Sequence, residues 1–148
     1  ALDYTDQEAL LVHQGNGSYT SFEAHQWAPK LESNYFISAR QQFRITLQWN
    51  SLKAFEDRFW QVNPARLEHL RPVANPDNEP DDFVISRLTF QARYRWQIAP
   101  LSDLFIVYTR GSNLPGNSFY TFQDLLEQGW NDRIVDSFAI KLRYRFGV

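Results

Sequence analysis

Three stretches of the chain alternate between apolar and polar residues with a period of two. Leu88, Phe90, Ala92, Tyr94, Trp96 and Ile98 form one apolar row, and Arg87, Thr89, Gln91, Arg93, Arg95 and Gln97 fill its gaps. The C-terminal stretch sets Phe138, Ile140, Leu142, Tyr144, Phe146 and Val148 against Lys141, Arg143 and Arg145. A third sets Tyr35, Ile37, Ala39, Phe43, Ile45, Leu47 and Trp49 against Arg40, Gln42, Arg44, Thr46, Gln48 and Asn50, with Gln41 as the break on the apolar side. Successive side chains of a strand point to opposite faces, so this period predicts β-strands with one dry face and one wet face.

The pattern predicts strands over 35–50, 84–98, 104–110 and 137–148. Weaker alternation over 3–28, interrupted by Glu8 and Glu23, predicts two more strands around Gly15-Asn16-Gly17, where Asn and Gly supply the positive φ of a tight hairpin. The segment from Leu52 to Val62 reads two ways. Leu52, Phe55 and Phe59 have helical spacing, whereas Arg58 to Val62 extends the preceding strand. A loop is predicted over 63–82 because Pro64, Pro72, Pro76 and Pro80 cannot donate to a central ladder. Between Ile98 and Leu104 the chain turns tightly around Pro100. A second long loop, 111–136, holds a short helix in which Ser118 is the expected cap, Phe119, Phe122, Leu125 and Leu126 share a side, and Gly129 ends it.

At 148 residues one domain is expected. Five Trp, seven Tyr and twelve Phe make the chain rich in the side chains that concentrate at membrane interfaces. No run of eighteen apolar residues occurs, so no membrane-spanning helix is predicted. Cysteine is absent, which removes disulfides, thiolate nucleophiles and cysteine metal sites. Long loop, short turn, long loop is the rhythm of an outer-membrane barrel, whose periplasmic turns are short and whose extracellular loops are elaborate. The expected fold is therefore all-β, an antiparallel transmembrane β-barrel. About six strands are visible, and six strands with unpaired edges cannot stand in lipid. The chain thus reads as one region, 1–148, forming the C-terminal part of a larger barrel that upstream strands or another chain complete. The alternative is that two strands between Leu31 and Val62 have been merged into one.

The stretch from Arg87 to Tyr108, with Pro100, Ser102, Asp103, Val107 and Tyr108, resembles the final hairpin of a bacterial outer-membrane family of unknown function. In that family a carbohydrate-binding-module-like N-terminal domain precedes a C-terminal barrel. Phe138 to Phe146 is similar to the family's closing strand, and Phe43 to Trp49 is compatible with it. The resemblance implies the C-terminal barrel region alone. The front domain is absent from this sequence, so a glycan role does not carry over. Gly147 and Val148 follow Phe146, where the usual assembly signal ends on the aromatic itself.

Charge sharpens the reading of the faces. The polar sides of the three stretches carry Arg40, Arg44, Arg87, Arg93, Arg95, Lys141, Arg143 and Arg145, and no acid interrupts them. In a barrel these are the expected lumen-lining residues. Such a wall attracts anions if left bare; the plainer expectation is that acids elsewhere in the barrel neutralise it. The expected lipid-facing set is Ile45, Leu47, Trp49, Leu88, Phe90, Tyr94, Trp96, Leu142, Tyr144 and Phe146, with Trp49, Trp96, Tyr94 and Tyr144 in the aromatic girdles. The acidic run from Asp77 to Asp82 offers oxygen ligands for a hard cation but lacks EF-hand spacing, and reads first as a solvated rim. His13, His25 and His69 lack metal-ligand spacing, although a hairpin could bring His13 to His25. No metal or other cofactor is expected.

No catalytic constellation is recognisable: there is no Gly-x-Ser-x-Gly elbow, and His69, Asp77 and Ser86 are too generic to assign. Arginines and aromatics fall on opposite faces, which argues against nucleic-acid binding. The expectation is a non-enzymatic integral protein of a Gram-negative outer membrane, acting as a pore, a transport or secretion channel component, or a scaffold. Its partners would be the bilayer, the strands that complete the barrel and, in one version, a larger outer-membrane complex. Two rivals share the pattern: a soluble lipocalin-like barrel binding an apolar ligand, with the faces inverted, and a barrel-borne outer-membrane enzyme.

Overall fold

A computed structural model describes residues 3–63, 66–75, 81–116 and 118–146. The architecture is an antiparallel sheet of eight strand segments with one helix, and the sheet is not closed. The segments are β1 (Tyr4–Gly15), β2 (Ser18–Trp27), β3 (Lys30–Ser38), β4 (Gln41–Asn63), β5 (Arg66–Val73), β6 (Phe83–Ala99), β7 (Ser102–Gly116) and β8 (Val135–Arg143), with α1 (Phe122–Asn131) between β7 and β8.

Eight segments make six ranks. β2 and β3 pair successive halves of β4 in one register, and the Trp49 N–H to Pro29 carbonyl bond carries that register across the break at Ala28–Pro29. Proline has no N–H, so the ladder is interrupted there while the direction continues. On its other edge β4 pairs β6 from Gln41 to Ala54 and β5 from Phe59 to Asn63. Each rank thus lies beside its neighbour in sequence, an up-and-down meander that leaves β1, β3, β5 and β8 with an outer edge among the described residues.

The turns explain several boundaries. Asn16 and Gly17, at φ 49° and 75°, close the first hairpin. A bulge at Asp57 shifts the register of β4 against β2. The stretch 35–50 is not one strand, because Ala39 and Arg40 form a turn and Ser38 pairs Gln41. The two-residue turn alone reverses odd–even parity, since Ser38 pairs Gln41, and the register shift between Phe36 and Ser38 restores it. Tyr35 therefore lies opposite Phe43 on the same face, and the alternation runs through the turn without a mark. Leu52 to Val62 is strand, the far half of β4. The expected loop 63–82 contains β5, in which Pro72 pairs Trp60; an outer position tolerates the missing donor. Pro64, Pro76, Pro80 and the run from Asp77 to Glu79 lie outside the described residues. At the opposite end Pro100 and Leu101, the latter at φ 59°, turn β6 into β7.

β7 runs on to Gly116, deeper into the expected loop 111–136 than the sequence suggests. The helix begins at Phe122, and Thr121 rather than Ser118 is its cap. The Thr121 Oγ accepts from the Asp124 N–H at 3.2 Å, and the Asp124 carboxylate accepts from the Thr121 N–H at 2.8 Å. This reciprocal pair satisfies two otherwise orphaned donors. Gly129 lies inside the helix and does not end it. A Cβ there would come within 3.3 Å of the Ser112 Oγ and 3.5 Å of the Leu88 Cβ, so glycine lets the helix approach the sheet closely.

α1 docks on the apolar face at one end only. Leu125 packs with Trp49, Val84 and Leu88, flanked by Phe122, Trp27, Leu47 and Phe90. The Trp49 indole donates to Ser86 Oγ at 3.0 Å, and Ser86 donates to the Leu125 carbonyl at 3.2 Å, so these groups under the helix are paired, whereas the buried Ser112 Oγ beside Gly129 has no partner among the described residues. Lys53 tethers the lead-in segment, donating to the Tyr120 carbonyl and lying 5.3 Å from the Phe122 ring. On the opposite face at this end Phe22, Ala24 and Ala54 form a second cluster with Leu10, Val12, Leu52 and Phe83.

Candidate functional site

The register fixes which side chains share a face. Phe43, Ile45, Leu47 and Trp49 of β4 lie opposite Tyr94, Ala92, Phe90 and Leu88 of β6; Tyr94 and Ala92 lie opposite Ile106 and Tyr108 of β7, which face Ile140 and Phe138 of β8. This is the apolar face. Trp96 and Leu142 extend it toward the Pro100 turn. Tyr144 and Phe146 follow β8, with rings 4.9 Å apart.

The face divides into two parts. Trp49 and Leu88, expected to face lipid, are 5% and 1% exposed because α1 covers them, so they meet protein. Leu47 and Phe90 are partly shielded by the same helix, Phe90 through a 5.6 Å edge contact with Trp130. Toward the Pro100 turn nothing in the described chain covers the face: Phe138, Ile140 and Leu142 are 64%, 62% and 59% exposed.

The polar face carries Arg44, Arg87, Arg93, Arg95, Lys141 and Arg143, while Arg40 lies in the β3–β4 turn and Arg145 beyond β8. Arg44 and Arg93 are direct cross-strand partners. One carboxylate missing from the sequence reading enters this face. Asp103, 1% exposed at the start of β7, accepts from Arg95 Nε and Nη2 at 3.1 and 3.0 Å and from Arg143 Nη2. The Arg95 guanidinium also lies 5.9 Å from the Phe105 ring. Leu104 to Tyr108 is an unbroken apolar run, so the sequence does not say which side Asp103 takes; the register of β7 against β6 does.

Arg44 Nε donates to Asn34 Oδ1 at 2.6 Å, and the Arg145 N–H donates to Ser102 Oγ at 3.1 Å. Arg87 lines a separate cleft of about 300 Å³ with Gln48, Asn50 and Thr89.

The remaining candidates are dispersed. His13 stacks on Tyr19 at 4.8 Å, whereas His25 Nδ1 lies 2.9 Å from the Asp6 carboxylate, so the first hairpin does not join the two histidines. His69 stands on β5. Ser86 is a buried structural link beneath α1. Among the described residues no three His, Asp or Glu side chains group as metal ligands. No helix among them is long and apolar enough to cross a membrane, which says nothing about crossing by strands.

Fold and site together define a class: an open antiparallel meander with one aromatic-aliphatic face and one arginine-rich face. No known family, curated protein or solved structure matches the chain.

Proposed function

We propose that this chain forms part of the wall of an outer-membrane β-barrel of a Gram-negative bacterium, serving as a pore, a channel component or a scaffold and not as an enzyme. The observation that carries the reading is the uncovered apolar band. From Phe90, which the edge of α1 partly shields, to Ile98 it runs roughly 27 Å along β6 at about 3.4 Å per residue. With strands tilted about 40°, that is roughly 20 Å in height, close to the apolar band of a membrane barrel. Trp96, Tyr94 and Tyr144 supply aromatics at the turn end of this band. The basic side would then line the interior. The resemblance of Arg87 to Tyr108 to an outer-membrane hairpin points the same way.

Lipid offers no hydrogen bonds, so the edges of β3 and β8 must be paired within the bilayer. In this reading further strands, of a longer chain or of another one, pair both edges. The soluble alternative, a lipocalin-like barrel, draws on α1, which shields part of the apolar face within the chain. It requires a cover for Phe138, Ile140 and Leu142 as well.

The test is alkaline carbonate extraction of membranes from Gram-negative cells that make the protein. Retention in the outer-membrane pellet is expected. Leu142→Arg, at an apolar-band position, should lower retention severalfold, whereas Ile85→Arg on the opposite face should not. Release of the parent protein in soluble, monodisperse form would overturn the assignment.

A further inference from the structure

The polar face holds a charge arrangement that the sheet does not balance. Arg44 and Arg93 stand directly opposite each other on β4 and β6, and like charges in that position destabilise a strand pair. Asp103 does not relieve them, because its two oxygens are taken by Arg95 and Arg143. Glu32, on the outer strand β3, is bonded to Lys30 at 3.0 Å and attracts Arg44 only from beyond ion-pair distance. Arg93 makes no ion pair among the described residues.

The same groups are arranged around open space. A cleft of about 200 Å³ is lined by Gln42, Arg44, Arg93, Arg95, Phe105 and Val107. A smaller one of about 90 Å³, reaching Arg40 in the turn, adjoins it and shares Gln42 and Arg95. Two of the three cleft arginines are held in place before any ligand arrives: Arg44 through Nε by Asn34, and Arg95 through Nε and Nη2 by Asp103. Arg44 keeps its Nη donors, and Arg93 its whole guanidinium fork. Such forks match the paired oxygens of phosphate or carboxylate groups. Holding them beforehand lowers the ordering cost of binding.

We infer that this cleft is an oxyanion-binding site, in which the Arg44–Arg93 pair grips the phosphate or carboxylate group of a solute and Arg95 and Gln42 border it. The anion supplies the negative charge that the strand pair lacks. The inference deepens the barrel reading by giving the interior face a ligand class. It rests on that reading only for the route by which the anion arrives.

The experiment is a titration of the ¹⁵N-labelled chain, folded in detergent micelles, with inorganic phosphate at constant ionic strength, following the arginine Nε–Hε resonances. Saturating shifts of Arg44 and Arg93 are expected. Arg93→Gln should weaken binding at least tenfold, and Arg93→Lys, which keeps charge but loses the fork, should weaken it by less. Arg87→Gln, in the separate cleft, should change it less than twofold. Amide spectra of each variant show that the sheet is retained. Shifts that grow without saturating, or a midpoint unmoved by Arg93→Gln, would overturn the site. Saturation by phosphatidylglycerol bicelles with none by inorganic phosphate would overturn the solute assignment in favour of a lipid headgroup. Carbonate extraction reads the barrel independently, so the two failures are distinguishable.

Discussion

Leu88 and Leu142 stand on the same face of the same sheet, yet one is 1% exposed and the other 59%. Around Leu88 the strands carry a helix whose Leu125 fills the space above Val84 and Trp49, and the serines beneath it are small enough to let it settle. Around Leu142 the face is equally apolar and carries nothing. The opposite face differs in the same places, with the Phe22 cluster at the helix end and the arginines concentrated at the turn end. An alternating sequence therefore identifies which side of a strand avoids water without stating what keeps water away. In the barrel reading the helix end stands above the bilayer and must supply its own cover, while lipid covers the turn end.

Removing the helix core should separate the two regions most sharply. Leu125→Ala deletes a fully buried side chain and should cost about 2–5 kcal/mol. Limited proteolysis of the segment around α1 and tryptophan fluorescence should show the helix detaching while amide exchange at the Pro100 turn stays slow. Loss of protection at both ends would mean that they form one cooperative unit and that the distinction is only one of coverage.

A smaller effect is expected at the opposite end. Asp103→Asn leaves two half-exposed guanidiniums without their carboxylate. After solvent screening of the exposed guanidiniums it should lower the urea midpoint in micelles by less than Leu125→Ala does. The fluorescence of Trp49 under α1 should not change, which would sharpen the division.

The smallest effect concerns the helix cap. Thr121→Ala should cost about 1 kcal/mol. Hydrogen bonds from the Thr121 hydroxyl and N–H hold the Asp124 carboxyl below the ordinary aspartate range, with Lys53 adding a weaker attraction. A pKa lower in the folded state means that this stabilisation is present above the unfolded value, about 4, and is lost as pH falls through the folded one. Fluorescence should therefore report a helix that loosens in acid, and in Thr121→Ala that acid step should shrink. An acid step of unchanged size in the variant would place its origin elsewhere.

Much of this division was legible in the sequence, and the rest was hidden for definite reasons. The faces of β4, β6 and β8 followed from parity. The turn at Ala39–Arg40 did not, because the register shift beside it restores the parity that the turn reverses. β5 was obscured by Pro72, which an outer strand accommodates. The cover over Trp49 and Leu88 was not visible at all. A helix of ten residues signals its own amphipathicity but not which part of a sheet receives it. The basic row was evident from alternation, whereas Asp103, the acid that holds Arg95 and Arg143, lay one residue outside the strand that the apolar run defined.

The two-residue turns at Ala39–Arg40 and Pro100–Leu101 also carry a reserve of length. Each sits beside a register shift, between Phe36 and Ser38 and between Gln97 and Ala99, where one residue of the ladder has no partner. One residue added to either turn gives that extra residue a partner and makes the hairpin regular, so every face beyond it stays where it was. The extra residue thus acts as slack that confines a change of length to the turn. A library of single insertions at the two turns, scored for folding, should survive there and fail when the same residue is inserted in the middle of β6, where the faces would exchange.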